Sequence, residues 1–482
     1  CRRDSKIEKT TEEAIMIRRT FILMSLFALV AMPALAADYS HKEYFEHYEG
    51  TKTCLGCHQD EAETFFHSQH YQWSGETPAI VNADGEALGK KNTINDFCTN
   101  PIPAWIGITK NSRGEILSQG CSKCHAGLGK MPSSEMSQEQ LENNDCLICH
   151  ASGYNRTLVE NEDGSLEWKP ILWKNQEGLD SVSKRITMPK RTSCLRCHAG
   201  SGGGPNFKRG DIEYAFSDTD REFDVHMGSD GGDMACMDCH AGTSHRMRGR
   251  GVDLMGSDSP ERLECADGAC HEATPHRKEL LNRHANRVDC TVCHIPVFAK
   301  EDQTDMVRDW STPAYSEAKD KHIPTFTFGK NVEPEIDWYN GTVWAQLPGV
   351  PVTQREDGVI EMVVPQGSRT DTEAKLFPFK VHRGKMPVAK DSRWLLPINV
   401  EEFFADGNID GAVREAAHVL YGIEDFEYEW VPVERYMGIF HEVQPADNAL
   451  RCLDCHGLDG RLDWAGLGYE ADPLEAVLTA SH

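Results

Sequence analysis

"CLGCH", Cys54 to His58, is the stretch on which the reading of this chain turns. The same form, C-x-x-C-H, returns at Cys121–His125, Cys146–His150, Cys194–His198, Cys236–His240, Cys290–His294 and Cys452–His456, seven copies in all. The second thiols are Cys57, Cys124, Cys149, Cys197, Cys239, Cys293 and Cys455. An eighth set, "CADGACH" from Cys265 through Cys270 to His271, has four residues between its cysteines. At this chain's own Cys and His frequencies, chance supplies about 0.03 copies of the five-residue form.

The spacing has a chemical reason. On one helical turn, positions i and i+3 share a face, so both thiols reach the two vinyl groups of one haem. The histidine that follows then stands over the porphyrin and offers a nitrogen to iron. Zinc sites also use C-x-x-C pairs, but they do not require a histidine directly after the second cysteine eight times over. The sequence therefore predicts eight covalent haems c. These use 16 of the 18 cysteines and leave Cys1 and Cys98. With the thiols so committed, no disulfide is expected in the mature chain.

The bulk numbers agree. The chain has 482 residues, 39% of them hydrophobic, and a mean hydropathy of −0.52. That is lean for its size, as expected if porphyrins fill much of the core. The formal charge of −26 argues against a nucleic-acid partner, because phosphates would be repelled. "MIRRTFILMSLFALVAMPALAA", residues 16–37, has a basic start, an apolar run and a small-residue cleavage site, and reads as a secretory signal. Residues 1–15 then read as an upstream extension. The expectation is an exported, periplasmic protein with no membrane span after cleavage.

Each iron needs a sixth ligand unless it is a reaction site. Thirteen of the 21 histidines lie outside the motifs. The best placed are His67, His70, His226, His245, His276, His284, His382, His418 and His441, with His226, His245, His382 and His441 foremost. His41, His47, His322 and His482 rank lower, His41 because it adjoins the cleavage site.

The fold class expected is mainly α with extensive irregular loops: one octahaem domain over 38–482 built on short motif helices. Residues 300–445 hold no motif and read as a wrapping segment. "TFTFG" (325–329), "GTVWAQL" (341–347) and "GVIEMVV" (358–364) suggest a few short strands there. In "VEEFFADGNIDGAVREAAHVLYGI" (400–423) the second half looks helical and sets His418 on a packed face.

Several longer stretches go beyond the haem motif: "INDFCTN" (94–100), "NDCLICHASGYNRT", "SCLRCHAGSGGGPNFKRGDIE", "DREFDVHMGSDGGDMACMDCHAGTSHRMRGRG", "PHRKELLNRHANRVDCTVCHIPVFAK" with "RDWST", "FPFKVHRGKMP" and "FHEVQPADNALRCLDCH". Through them the chain resembles the octahaem tetrathionate reductase family of periplasmic cytochromes, from about residue 51 to 456. The resemblance implies reduction of a small oxidised sulfur or nitrogen compound (tetrathionate, nitrite or hydroxylamine) at one haem, with a redox protein as electron donor. It makes the second haem, on Cys121, Cys124 and His125, the reaction site, with Cys98 beside it. Two positions depart from the family pattern. Met188 stands where the family has a lysine that ligates the special haem, with Lys184 and Lys190 nearby, and Arg209 replaces a histidine. The competing function is an electron conduit between partner proteins. Cys98 is either a reactive thiol or packing; its polar neighbours Asn95, Asp96, Thr99 and Asn100 suggest a loop.

Overall fold

The computed structural model describes residues 40–97, 105–106, 110, 114–116, 120–174, 177–249 and 262–475. The leader over 16–37, Cys98, Arg250 and His482 lie outside the described residues. Among the described residues no helix is long and apolar enough to cross a membrane.

The motifs sit on single helical turns. These are Thr51–Leu55, Leu147–His150, Arg191–His198, Cys236–Cys239, Cys290–His294 and Cys452–Cys455, with a 3₁₀ turn at Cys121–Lys123. Residues in or beside the motifs cap several of these turns. Asp238 and Asp454 accept the backbone N–H of Ala235 and Arg451 at 2.7 and 2.6 Å, half of a capping box, and Asp289 accepts from Thr291. The widened Cys265–His271 loop is not helical. Asp267 folds it by accepting the N–H groups of Ala269 and Cys270, and Gly268 takes the positive φ of 82° that the bend needs. Two hairpins accompany this half: β1 (Tyr154–Glu160) with β2 (Leu166–Leu172), and β3 (Gly242–Thr243) with β4 (Arg246–Met247).

Residues 304–438 form a seven-stranded mixed sheet. Its strands are β5 (Thr304–Ser316), β6 (Lys321–Gly329), β7 (Glu335–Tyr339), β8 (Val343–Ala345), β9 (Ile360–Pro365), β10 (Lys375–Ala389) and β11 (Tyr428–Gly438). The order is β6-β5-β10-β11-β9-β8, with β7 on the first residues of β10. β10 runs parallel to β5 and antiparallel to β11. This overturns the expectation of a mainly α fold with a few short strands: strand makes up 24% of the chain and helix 22%. Motif helices of one turn contribute little helix however many there are. The long central strands escaped notice because both faces of β10 are buried, which removes the period-2 signal, and because Pro378 and Pro387 read as breakers.

The sheet carries most of the apolar core. Trp310, Met386, Val388, Leu396, Phe403, Val413 and Val433 pack on one side, and Tyr339, Val343, Val363, Phe377, Phe379 and Val381 on the other. Helices Val400–Asp406 and Ile409–Tyr421 lie on the first group, each capped by an asparagine (Asn399, Asn408). The second helix buries Ala412, Val413, Ala416 and Ala417, so His418, expected on the packed face, is exposed beside Glu424.

The motif half is tied to the sheet by buried polar groups. Asp96 accepts from Arg435 Nε on β11 and His382 Nδ1 on β10, and its carbonyl accepts Trp310 Nε1 at 2.7 Å. Burial alone would raise the Asp96 carboxyl, but Arg435 and His382 hold it well below the usual range. A carboxyl depressed in the fold contributes stability above its unfolded value and loses it as pH falls. Arg435→Met should therefore cost about 3–5 kcal/mol in denaturant unfolding. Asp96→Asn should flatten the loss of stability below about pH 4; an acid limb as steep as that of the native protein would contradict this.

Candidate functional site

Six of the eight motifs line one continuous internal chamber of about 2290 Å³, and Asp289 and Thr291 of the seventh reach it. Ligand pockets for drug-sized molecules span about 300–1,000 Å³, so this space takes several large groups. None of the 16 described cysteines forms a disulfide. Instead, thiols of different motifs meet: Cys54 with Cys146, Cys124 with Cys197, Cys194 with Cys236, and Cys265 with Cys290. Cys239 feels Cys270, and Cys293 feels Cys455. These neighbours order the motifs as first, third, fourth, fifth, sixth, seventh and eighth, with the second set against the fourth; the third and fourth join through Cys149 and Cys197.

Imidazoles face one another in pairs, five of them lining the chamber. His41 and His58 have ring centroids 6.0 Å apart, His70 and His198 6.2 Å, His150 and His245 6.5 Å, and His226 and His271 6.1 Å. His240 and His441 are 6.1 Å apart, His276 and His294 6.3 Å, and His284 and His456 6.4 Å. Each pair joins one motif histidine to one from elsewhere. Two metal–nitrogen bonds of about 2 Å plus the ring radii span about 6 Å, so each gap fits one iron.

In six of these histidines the other ring nitrogen is anchored. Nδ1 of His150 lies 3.0 Å from Thr187 O, that of His240 3.0 Å from Arg248 O, and that of His284 2.9 Å from Leu280 O. Nδ1 of His456 meets Asp472 at 2.6 Å, that of His441 meets Asp211 at 3.1 Å, and that of His245 meets Thr64 Oγ1 at 3.0 Å. Such bonds fix the ring and leave Nε2 for a metal. Burial also favours the neutral form, which ligands need, at five of the paired imidazoles: it pushes His198 down to about 4, with His70 and His240 adding to the effect, and it lowers His150, His240, His245 and His294. The donor set fits covalent haem c.

Among the described residues, the ring neighbour of His125 is an indole rather than an imidazole. The His125 ring packs 5.6 Å from the Trp105 indole, whose carbonyl accepts the Ser122 N–H inside the same motif. The histidines outside these pairs lie elsewhere. His47 bonds Asp180, His67 is exposed beside Phe66, His322 packs on Tyr315, and His418 is on the surface. His382, expected among the foremost ligands, is fully buried instead. It stacks on Phe97 at 4.0 Å and bonds Asp96, which removes it from the chamber. His41, ranked low for its nearness to the leader, is brought opposite His58.

Around the expected distal segment, Thr187 serves His150 and Met188 lines the chamber half-exposed. Lys184 bonds Glu46 O at 2.7 Å, and Lys190 is exposed at the start of the fourth motif helix. Before Cys98, residues Asn95, Asp96 and Phe97 are all buried, so their polarity marks a buried joint rather than a solvated loop. Arg209 replaces a family histidine, and its guanidinium bonds Asp211 and the Gly438 carbonyl. Sequence reasoning did not find the anchors Asp211 and Asp472; aspartates carry no local signal for this role.

Comparison with known proteins agrees. A family model described as "Cytochrome c bacterial" matches residues 299–459. An uncharacterized protein of Archaeoglobus fulgidus is 34% identical over 259 residues, which is 48% of this chain and 83% of that one. The crystal structure of an octahaem cytochrome c from Shewanella oneidensis superposes with a TM-score of 0.70 at 30% identity, over 88% of this chain and 94% of that chain. The protein is a multihaem c-type cytochrome that binds haem c covalently and works in electron transfer. It belongs to the octahaem cytochrome c family.

The two kinds of buried histidine should respond differently to truncation. His276→Ala should turn one low-spin haem high-spin or water-bound in absorption and EPR spectra. His382→Ala should leave the spin states alone and lower thermal stability; the reverse pattern would exchange their roles.

Proposed function

We propose that this protein is an exported, periplasmic octahaem cytochrome c that reduces a small oxidised sulfur or nitrogen compound at the second motif. The other seven motifs serve electron transfer. Haem c, when bound, supplies an iron that exchanges one electron at a time. The chain's own part is to hold seven such groups between paired imidazoles, several of them anchored, and to present the eighth differently. The contrast between seven motif histidines facing imidazoles and His125 packed on an indole carries this reading. The family resemblance through "INDFCTN" and "FPFKVHRGKMP" supports the tetrathionate-reductase-like version of it. A redox protein is the electron donor in this reading, and tetrathionate, nitrite or hydroxylamine is the acceptor.

Cys98 follows Phe97 directly in the chain. In this reading its thiolate attacks the central S–S bond of tetrathionate and expels one thiosulfate, and two electrons from the donor then release the second thiosulfate and regenerate the thiolate. Met188 and Lys190 are the candidates for shaping the distal side of the second haem, Met188 through a thioether and Lys190 through its amine.

Mass spectrometry of the mature protein should show eight haem additions; seven would remove the Cys265–Cys270 set. Nitrite, sulfite or tetrathionate should perturb the spectrum of one haem and reoxidise the reduced protein. Eight unresponsive low-spin haems would instead support the conduit. Cys98→Ser should keep haem content and lower tetrathionate turnover at least tenfold, about 1.4 kcal/mol or more in the barrier. Full activity would make Cys98 packing. Met188→Leu or Lys190→Ala should shift the spectrum or potential of one haem, and no change in either removes the segment as a ligand donor.

A further inference from the structure

The chain carries a formal charge of −26, yet part of its chamber wall is cationic. Where the β5–β6 hairpin meets the chamber, Arg308, Lys319 and Lys321 all line it. They form a graded series: Lys319 is exposed at the rim, Lys321 is partly buried, and Arg308 is buried within. Arg308 has Asp305 as a counter-charge at 2.8 Å. Among the described residues, neither lysine has a carboxylate partner. Asp320, between them in sequence, is engaged by the Tyr315 hydroxyl.

What surrounds the lysines is aromatic. Lys319 Nζ lies 5.6 Å from the Phe207 ring and 6.0 Å from Phe326, and Lys321 Nζ lies 4.1 Å from Phe404. The Arg308 guanidinium lies 5.0 Å from both Phe97 and Phe326. Ring faces hold a cation in place without neutralising it. The result is a positive field that stays available. Its cost is visible at Lys321, whose ammonium is pushed down to about 8 by burial, and further by Lys319 and Arg308. A partly desolvated ammonium without an anion is unfavourable, and an incoming anion relieves that strain through charge-assisted hydrogen bonds.

We propose that Lys319, Lys321 and Arg308 form an anion-binding wall that selects small oxyanions over neutral oxidants. Lys319 draws the anion to the rim and Lys321 binds it inside. Arg308 fixes the wall, because its guanidinium bonds Phe97 O and reaches Gly202 O at 2.7 Å. The selectivity part rests on the reductase reading; the binding part does not. Lys380, further in, is no part of the site, since the Phe207 and Lys208 carbonyls and the Thr304 hydroxyl already take its three N–H groups.

The test uses the intact holoprotein and sulfate, a redox-inert oxyanion. Calorimetric titration should detect sulfate binding that weakens with ionic strength. Lys321→Gln should weaken it about tenfold, Lys319→Gln should weaken it less, and Lys321→Arg should restore it, with haem spectra and melting unchanged. In turnover, Lys321→Gln should raise KM for nitrite and tetrathionate about tenfold relative to KM for hydroxylamine. Sulfate affinity equal in native and Lys321→Gln protein overturns the proposal. If the native protein reduces none of these compounds but binds sulfate through Lys321, the reductase reading fails and the anion wall stands.

Discussion

Asp96 is the joint of the molecule. A buried carboxylate is stable only when it is paired and fully hydrogen-bonded. Here the pairing comes from His382 and Arg435, which face each other across β10 and β11. A segment of the motif half is therefore held on the central pair of strands in the sheet. Phe97 is set by the same contacts, stacked on His382 and bonded through its carbonyl to Arg308. Similar ties run alongside it. Glu213 accepts the N–H groups of Lys300, Glu301 and Asp302, and Lys380 collects the carbonyls of Phe207 and Lys208.

This polar fastening follows from how the chain distributes its apolar residues. The sheet and its two helices pack large continuous clusters and need no cofactor to fill them. The motif half has only small clusters, such as Leu147 with Ile148, Tyr154 and Val182, or Leu195 with Phe216 and Phe223. Side chains that would close a core there are replaced by thiols and imidazoles around a chamber. Covalent haem c would supply the missing apolar volume, and the Nδ1 bonds of the paired histidines would help to orient it.

What the sequence revealed follows the range of the interactions. Thiol and following histidine lie within one turn, so the motif pattern that points to covalent haem c is legible in the sequence. The local strand signals at 325–329, 341–347 and 358–364 all fall on strands of the sheet. A distal histidine is chosen by tertiary geometry, and there proximity misled. His41 was marked down for its place near the leader, while His382, in a stretch rich in basic residues, turned out to serve Asp96. The polar run before Cys98 looked like a loop because its partner Arg435 lies 339 residues away. β10 was invisible as a strand for a related reason: a central strand with two prolines and four basic residues shows its character only beside its neighbours.

The thiol contacts add a last step. Seven motifs follow one another in space, and the second meets this line at the fourth through Cys124 and Cys197. The loop that leaves the fourth motif, residues 200–208, is then where the line, the branch and the sheet converge. Gly202 sits there at a φ of 87°, with Lys208 backbone close to where a side chain would project. The Gly202 carbonyl takes Arg308, and the Phe207 ring lies under Lys319. One glycine-rich loop thus runs from the fourth motif, where the branch meets the line, to Arg308 and Lys319 of the cationic wall.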